Sequence, residues 1–366
     1  MNNETSLISW IDLFVTEKCN LNCKYCFHPQ KPRDMSDETM QATINFFKDK
    51  ITDNCIFNFF GGEPTLREDF CMKWFYKIKE FFPKCRVSTS TNAVLFPEKM
   101  ISIMRRKDFD TQISYDGVYQ EEYRGESKLV EKNIHRYVKE ISGGNLHFRL
   151  TFMPETVHRL YDSIQMVYDL GGKRAAHQAV LSAHWEEKHF KEYEKQLTEI
   201  YKFLDEHKDF SSYFCTCDRV TNTRNSICSM GKGLIAVDAA GDIYPCHRSI
   251  KFPEFKIGNV HEKRFNRGRF KTLIIPECKG CIAEPTCHTC VIANYEINGS
   301  LVSNPASTCV INKIEYNKAF AKYKVENKEE FKARYILKPM LNVLNDIKDN
   351  NKEIIRVLKE TKYARY

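Results

Sequence analysis

Along the first half of the chain, short apolar runs alternate with stretches in which apolar residues recur at every third or fourth position. Short apolar runs typical of buried strands are each followed by a stretch with apolar residues at helical spacing, as at Met40, Ile44 and Phe47. The strands predicted in this way are 11–16, 55–60, 86–91, 110–115, 146–153 and 174–181. Strands and helices that alternate through short connections predict an α/β fold with a parallel sheet, which we expect to close into a partial (β/α)6 TIM-like barrel.

Composition divides the chain into three parts. Residues 1–209 carry the alternating pattern and end in a long amphipathic helix, residues 210–310 are rich in cysteine and should form a small second domain, and residues 311–366 are basic. Most of the net charge of +8 lies in this last part. We expect it to form C-terminal helices with a solvated basic face, and contact with an acidic peptide or a nucleic acid is the less favoured alternative.

The cysteine content bears on the compartment. The chain has 15 cysteines, which would suggest disulfides in a secreted protein. Its first residues lack the basic start and apolar stretch of a signal peptide, and no apolar run reaches the roughly eighteen residues of a membrane span. We therefore expect a cytoplasmic protein, away from membranes, whose thiols bind metal. Cys55, Cys71 and Cys85 lie apart from the other cysteines, and we interpret them as buried small apolar residues.

Three cysteines follow the first predicted strand directly. Cys19, Cys23 and Cys26 have the spacing C-x3-C-x2-C. Iron–sulfur cubanes are held by cysteine thiolates at such short spacings and normally take four, so three ligands leave one iron open to a group that is not protein. A structural zinc ion needs four protein ligands, and a catalytic one needs His or carboxylate ligands. Zinc or a group of buried thiols remains the alternative.

Further chemistry-bearing residues lie at the ends of the next predicted strands. Gly61 and Gly62 let the backbone approach a ligand closely, and Glu63 supplies a carboxylate for a cationic amine. In parallel barrels the reactive groups lie at this carboxyl-terminal edge. The other residues at this edge are Thr91 and Asn92 after the third strand and Asp116 after the fourth.

The cysteine triad with Gly-Gly-Glu one strand later resembles the radical S-adenosylmethionine (radical SAM) enzymes. The resemblance implies that Cys19, Cys23 and Cys26 hold a catalytic [4Fe-4S] cluster, whose open iron is chelated by the amino and carboxylate groups of S-adenosylmethionine. It also implies cofactor contacts by Tyr25 with adenine, by Gly61, Gly62 and Glu63 with the amino group, by Arg124 with the carboxylate, and by Ser90, Asn92, Ser114 and Asp116, which match the family's strand ends. Ordinary strand-end hydrogen bonding is the alternative for Ser90, Asn92 and Ser114. Ala93 stands where the family has a glycine.

A second group of cysteines runs from Cys215 to Cys309. Its C-x2-C-x5-C-x2-C run, read alone, also suits a zinc ribbon, but the group can supply the eight ligands of two four-iron clusters. With Gly-x4-Cys before it, the order resembles the SPASM-type extension of radical SAM enzymes, although the last gap has two residues where the family has three. The resemblance implies two auxiliary [4Fe-4S] clusters, one on Cys228, Cys246, Cys290 and either Cys217 or Cys215, the other on Cys278, Cys281, Cys287 and Cys309. Without Cys217 or Cys215, the first would keep an open iron for a substrate thiolate.

The resemblance also implies the reaction. Reductive cleavage of S-adenosylmethionine gives a 5′-deoxyadenosyl radical that takes a hydrogen atom from the substrate, and auxiliary clusters can accept the electron that returns. SPASM-bearing enzymes chiefly modify peptides, so we expect an anaerobic peptide maturase that forms a thioether or carbon–carbon crosslink in a ribosomally made peptide. Its partners would be the peptide or protein substrate, an electron donor such as flavodoxin or ferredoxin, and a separate leader-binding protein, because the first strand begins too early for a leader-binding module.

The residue after Cys246 distinguishes two peptide chemistries. Anaerobic sulfatase-maturing enzymes, which oxidise Cys or Ser to formylglycine, carry an aspartate base at this position, and His247 stands there instead. Histidine can take a proton at neutral pH, so His247 is a candidate catalytic residue, and a hydrogen-bonding role beside a cluster is the alternative. Sulfatase maturation is the second candidate function, an enzyme for a small molecule the third, and a zinc-bound nucleic-acid-binding protein a remote one.

Overall fold

The computed structural model describes residues 7–142, 144–213, 228–270, 275–278, 281, 283, 287 and 289–322. Cys215, Cys217 and the helices predicted beyond residue 322 lie outside this part of the chain. The predictions that concern them remain predictions.

The described strands form a single sheet of eleven. They are β1 (Ile8–Thr16), β2 (Ile51–Gly61), β3 (Arg86–Thr91), β4 (Phe109–Ser114), β5 (Asn145–Phe152), β6 (Arg174–Ala179), β7 (Ser211–Tyr213), β8 (Leu234–Val237), β9 (Asp242–Tyr244), β10 (Gly258–Asn259) and β11 (Arg264–Phe265). The first six are the strands that the periodicity predicts, within a few residues at each end. The α/β fold with a parallel sheet of the partial-barrel kind is therefore confirmed.

Helices connect the strands. They are α1 (Asp37–Phe47), α2 (Glu68–Phe81), α3 (Ile101–Met104), α4 (Gln120–Tyr123), α5 (Ser127–Glu140), α6 (Leu160–Asp169), α7 (Glu187–Glu206), α8 (Val291–Asn298) and α9 (Ala306–Lys322). The sequence sets their limits locally, as in α1, where the Ser36 hydroxyl accepts a hydrogen bond from the Thr39 amide at 3.1 Å and caps the helix. Among the described helices, none has the length and apolar character that crossing a bilayer requires.

The sheet continues from the barrel strands into the cysteine-rich part. Its order is β11-β10-β9-β8-β1-β2-β3-β4-β5-β6-β7. Strands β1 to β7 pair in parallel, and β8 pairs in parallel with β1 on the side away from β2, before β9 to β11 turn antiparallel. The predicted boundary between residues 209 and 210 is therefore not a break in the sheet, and the segment that carries Cys246 lies beside β1.

The two faces of β1 have different roles. Ile11, Leu13 and Val15 are fully buried in the main core between sheet and helices. Successive side chains of a strand point to opposite faces, so Asp12 lies on the other face. There the Asn58 amide donates to the Asp12 carboxylate at 2.7 Å, and the Ser88 hydroxyl donates to Asn58 at 2.9 Å. A buried polar layer thus crosses β1, β2 and β3.

Ile235→Ala tests the continuity of the sheet. Ile235 is a fully buried residue of β8, and its truncation should lower the free energy of unfolding by about 2–5 kcal/mol. Because β8 pairs with β1, we expect the loss in the cooperative unfolding of the whole sheet, measured by circular dichroism in urea. The control Ile297→Ala changes a side chain that is 41% exposed and should cost less than about 0.5 kcal/mol. Separate unfolding of the residues after 228, with the barrel unaffected, would contradict the continuous sheet.

Candidate functional site

The loop after β1 carries the three cysteines and is held from two sides. The Gly62 amide donates to the Thr16 carbonyl at 3.0 Å, and the Glu63 amide donates to the Lys18 carbonyl at 2.9 Å. On the other side, the Lys24 amide donates to the Tyr123 carbonyl at 2.9 Å. The end of β2 and the end of α4 therefore position the cysteine loop at the carboxyl-terminal edge of the sheet.

The three thiols differ in exposure. Cys19 and Cys23 are half-buried and Cys26 is exposed. Burial raises the pKa of Cys19 to about 11, and the Leu21 amide opposes the shift by donating to its sulfur at 3.5 Å. Burial also raises the pKa of Cys23, against the nearby Arg124 guanidinium. Metal ligands must be thiolates, so cluster binding at this loop releases protons.

Gly61 and Gly62 are required by the loop itself. A Cβ on Gly61 would lie 1.9 Å from the Thr16 carbonyl oxygen, and its φ of +133° belongs to the region that favours glycine. A Cβ on Gly62 would lie 2.0 Å from the Lys18 carbonyl oxygen. The sequence predicts a close backbone approach here, and the structure shows one to the backbone that precedes Cys19.

Glu63 is buried and hydrogen-bonded to three other residues of the chain. Its carboxylate accepts hydrogen bonds from the Thr65 amide at 3.0 Å, the Thr65 hydroxyl at 2.6 Å, the Thr91 hydroxyl at 2.8 Å and the Asn92 amide at 2.7 Å. Burial raises the pKa of this carboxyl, and the four donors oppose the rise. Since two of the donors, Thr91 and Asn92, lie at the end of β3, this side chain ties the end of β2 to the end of β3. Its contact with a cofactor amine remains a prediction.

The strand-end residues after β3 and β4 take different positions. The Asn92 side-chain amide donates to Asn20 at 2.7 Å and lies 3.8 Å from the Cys19 sulfur, so it contacts the cysteine loop. The Ser90 hydroxyl accepts a hydrogen bond from the Gln112 side chain at 3.1 Å. This is an ordinary hydrogen bond between strand ends, the alternative to a cofactor contact. Ser114 ends β4 at the same edge of the sheet. Ala93 is buried with a left-handed φ of 59°, which explains the glycine that the family has there.

Tyr25, Asp116 and Arg124 form a hydrogen-bonded group behind the loop, in which Asp116 is buried and the other two side chains are half-buried. The Tyr25 hydroxyl donates to Asp116, and Arg124 donates to the Tyr25 oxygen at 2.8 Å. Burial raises the pKa of Asp116, and the Arg124 guanidinium opposes this. The Arg124 Nε–H is buried without an acceptor among the described residues. A donor left unpaired in this way marks the place where an anionic group fits.

His247 is paired with a residue that the sequence analysis missed. Its Nδ1 lies 2.7 Å from the carboxylate of Asp12, which is 1% exposed. The imidazole also lies beside Phe27, with ring centres 5.5 Å apart, and Phe60, at 5.0 Å. The one local signal for this pair was an aspartate in an otherwise apolar strand. Phe27 directly follows Cys26 and His247 directly follows Cys246, so this ring contact joins the two cysteine-bearing segments.

The structure brings the later cysteines together in two sets. Cys228 and Cys290 are close enough to Cys246 that they add to the pKa rise which burial causes there. Burial raises the pKa of Cys287 to about 12, and its neighbours Cys278, Cys309 and Cys281 add to that shift. Asn304 donates to the Cys278 sulfur at 3.1 Å. The assignment of these cysteines to two clusters remains a prediction, and Cys217 and Cys215 lie outside the described residues.

Two buried donors lie beside the cysteines and fit anionic groups. The buried Nε–H groups of Arg124 and Arg248, which have no described acceptor, lie beside Cys23 and beside Cys246 with Cys290. An anionic cluster at Cys246 and Cys290 would supply an acceptor for Arg248, and a cofactor carboxylate beside Cys23 would supply one for Arg124.

Gly62→Ala tests whether the end of β2 positions the cysteine loop. The added methyl group collides with the Lys18 carbonyl, so we expect a loss of about 1–3 kcal/mol of stability and a displaced Cys19. After anaerobic reconstitution, the variant should bind clearly less iron than the wild type. The control Gly299→Ala has a φ of +66° and no atom within 4 Å of the new methyl group, so it should cost only about 1–2 kcal/mol of backbone strain and keep all iron. Unchanged iron in Gly62→Ala would contradict this role.

Comparisons with known proteins agree with this site. Residues 13–167 match the radical SAM superfamily. A cysteine-type anaerobic sulfatase-maturating enzyme of Clostridium novyi is 23% identical over 334 residues, which cover 77% of this chain and 87% of that protein. With several other curated relatives the match is local, and it spans between 25% and 39% of their length.

Two solved structures share the fold. The structure of anSMEcpe with bound AdoMet and Cp18Cys peptide superposes with a TM-score of 0.67 at 18% identity, over 93% of this chain and 99% of that one. Streptococcus suis SuiB bound to its precursor peptide SuiA superposes with a TM-score of 0.63 at 15% identity, over 83% of this chain and 76% of that one. Identities this low show the common fold. With its cysteine loop and the match over residues 13–167, the protein carries a radical SAM domain, and over most of its length it is similar to an anaerobic sulfatase-maturating enzyme.

Proposed function

We propose that this enzyme is a peptide maturase that oxidises its substrate by two electrons and forms a thioether or carbon–carbon crosslink. The observation that carries the proposal is the contact between the two cysteine-bearing segments. Phe27, directly after Cys26, packs against His247, directly after Cys246. A substrate between these segments would meet the catalytic site and an electron acceptor together.

The first cysteine loop would hold the catalytic group. Cys19, Cys23 and Cys26 supply three thiolates, and S-adenosylmethionine completes the fourth position. When bound, the cluster and S-adenosylmethionine supply one electron and a radical that abstracts a hydrogen atom, which is chemistry the protein positions rather than performs. Arg124 would direct its unpaired Nε–H at the cofactor carboxylate, with Tyr25 and Asp116 fixing the guanidinium. Glu63 keeps this edge of the sheet in place through Thr91 and Asn92.

His247 would accept the proton that the substrate loses. Asp12 holds Nδ1, which fixes the ring and leaves the accepting role to Nε2. Asp12 is itself fixed by Trp10 at 2.8 Å and Asn58 at 2.7 Å, so the ring has a rigid support. The pair sits next to the proposed ligand Cys246. Proton and electron could therefore leave the substrate at neighbouring points.

The comparisons support a peptide substrate. The anSMEcpe structure contains a peptide, and SuiB is bound to a precursor peptide. By analogy, this chain would take a peptide or protein substrate. A flavodoxin or ferredoxin would supply electrons, and a separate leader-binding protein would present the peptide. Cytoplasmic location is part of the same proposal.

Formylglycine formation is the second candidate. It is favoured by the match to the Clostridium novyi enzyme, which covers 77% of this chain. The Asp12–His247 pair offers a proton acceptor for that reaction as well. The two functions differ in product, because a crosslink removes two hydrogens from the peptide whereas formylglycine formation from cysteine removes its sulfur.

Cluster content and product mass test the proposed function. Anaerobically reconstituted wild type should hold about twelve irons, and the Cys19/Cys23/Cys26→Ala variant about eight. With S-adenosylmethionine and dithionite, only the wild type should release 5′-deoxyadenosine. A peptide two hydrogens lighter supports crosslinking, and one that has lost cysteine sulfur supports formylglycine formation. About four irons in the wild type would contradict the two auxiliary clusters. Crosslinking and formylglycine formation would then both lose the electron acceptor on which they are based.

His247→Gln separates proton transfer from cofactor cleavage. Loss of a general base should slow peptide oxidation roughly a hundredfold or more, while 5′-deoxyadenosine still forms because the catalytic loop is untouched. Asp12→Asn should lower peptide oxidation less, since it only weakens the hold on the ring. Both products are quantified by mass spectrometry at equal iron content, and His261→Gln, remote from Asp12, serves as the control. Unchanged peptide oxidation in His247→Gln would remove this residue from the mechanism.

A further inference from the structure

Arg248 occupies an unusual place between the two cysteine-bearing segments. It lies two residues after Cys246, on the short helical turn His247–Lys251. Its guanidinium donates to the Glu296 carboxylate of α8 at 2.8 and 3.1 Å. Lys251 contacts the same carboxylate at 2.9 Å. Glu296 therefore binds two cations, of which Arg248 also contacts the ring of Phe27.

The guanidinium contacts both segments at once. Its central carbon lies 5.7 Å from the centre of the Phe27 ring, next to Cys26. On the other side, burial disfavours its charge, yet Cys290, Glu296 and Cys246 together raise the pKa of Arg248 above its ordinary value. The side chain is thus close to two of the thiols proposed for the first auxiliary cluster.

One donor of this guanidinium has no described acceptor. The Nε–H of Arg248 is buried, and the described residues offer it no hydrogen-bond partner. Buried donors are rarely left unpaired, and each exception calls for an explanation such as a group that occupies the site when the protein is loaded. Glu296 already satisfies the outer side of the guanidinium. Both hydrogen bonds to Glu296 come from Nη2, so Glu296 does not occupy the buried Nε–H, which is left for an acceptor on the cysteine side.

We propose that Arg248 sets the reduction potential of the first auxiliary cluster, through a permanent positive charge and an Nε–H donor directed at its sulfur ligands. The inference rests on the proposed function, because it assumes a cluster on Cys228, Cys246 and Cys290. Cluster potentials depend on net charge and on hydrogen bonds to sulfur. Arginine does not lose its proton in proteins, so the charge is constant. It favours the reduced cluster and raises the potential.

A raised potential gives this cluster a defined role. In the proposed oxidation the substrate loses one hydrogen atom to the 5′-deoxyadenosyl group, one electron to this cluster and one proton to His247. A one-electron carrier protein would accept this electron in turn. Arg248 makes the electron transfer to the cluster favourable, and its contact with Phe27 holds the acceptor beside the catalytic loop. It is a positioning residue, which acts through the cluster and not on the substrate.

Arg248→Gln and Lys251→Gln form a matched pair. Each removes one cation from Glu296, but only the first removes charge from beside the cysteines. We would reconstitute each full-length variant and titrate its clusters by EPR at defined potentials, assigning the first auxiliary signal by its loss in Cys246→Ala. At the wild-type midpoint, Arg248→Gln should lower the reduced-to-oxidised ratio of that cluster at least tenfold, which is 59 mV for one electron. The other clusters should keep their potentials, and Lys251→Gln should change the ratio less than twofold.

The outcomes separate the inference from the proposed function. Three clusters in the wild type with no shift in Arg248→Gln, or an equal shift in Lys251→Gln, would overturn the role of Arg248 alone. A wild type without the first auxiliary cluster would overturn both. If Arg248→Gln fails to bind this cluster, the Arg248→Gln/Glu296→Gln variant removes the buried pair together and should still lower the potential. Loss of the cluster in both variants would assign Arg248 a structural role and refute potential tuning.

Discussion

The close contact between the end of β2 and the backbone after β1 is the constraint on which the rest of the site depends. Gly61 and Gly62 lie so near the carbonyls of Thr16 and Lys18 that no side chain fits between them. This contact fixes where the cysteine loop leaves the sheet. The buried Glu63 carboxylate extends the same order to β3 through Thr91 and Asn92. Backbone packing therefore determines where the residues that lead to Cys19 lie.

The pairing of β8 with β1 is the second constraint. It places the segment after β9 beside the first strand, although more than two hundred residues separate them in sequence. His247 thereby reaches Asp12, and Arg248 reaches Phe27. Two cysteine-rich stretches that are distant in the chain become neighbours in one sheet. This adjacency explains how one substrate could exchange a hydrogen atom, an electron and a proton within a small volume.

The sequence was informative where the signal is local. Periodicity predicted the six barrel strands, and cysteine spacing pointed to the triad, whereas the division of the later thiols into two sets came only from the family resemblance. It could not predict Asp12 as the partner of His247, because that contact spans 235 positions and follows from sheet order. Arg248 carried no local signal either, since its importance comes from Glu296 and Phe27, which approach from other segments. The glycines were predicted to lie close to a ligand, whereas the structure shows that the chain itself comes close. Ala93 shows that a left-handed position can keep its conformation without glycine when buried packing holds it.

We propose that one cluster has an iron open to S-adenosylmethionine and that two auxiliary clusters accompany it. Mössbauer spectroscopy of the wild type reconstituted with the iron-57 isotope tests this most directly. With about twelve irons in three cubanes, addition of S-adenosylmethionine should change the spectrum of roughly one iron in twelve and leave the others unaltered. A spectrum that S-adenosylmethionine does not change, or one that accounts for a single cubane only, would contradict the account.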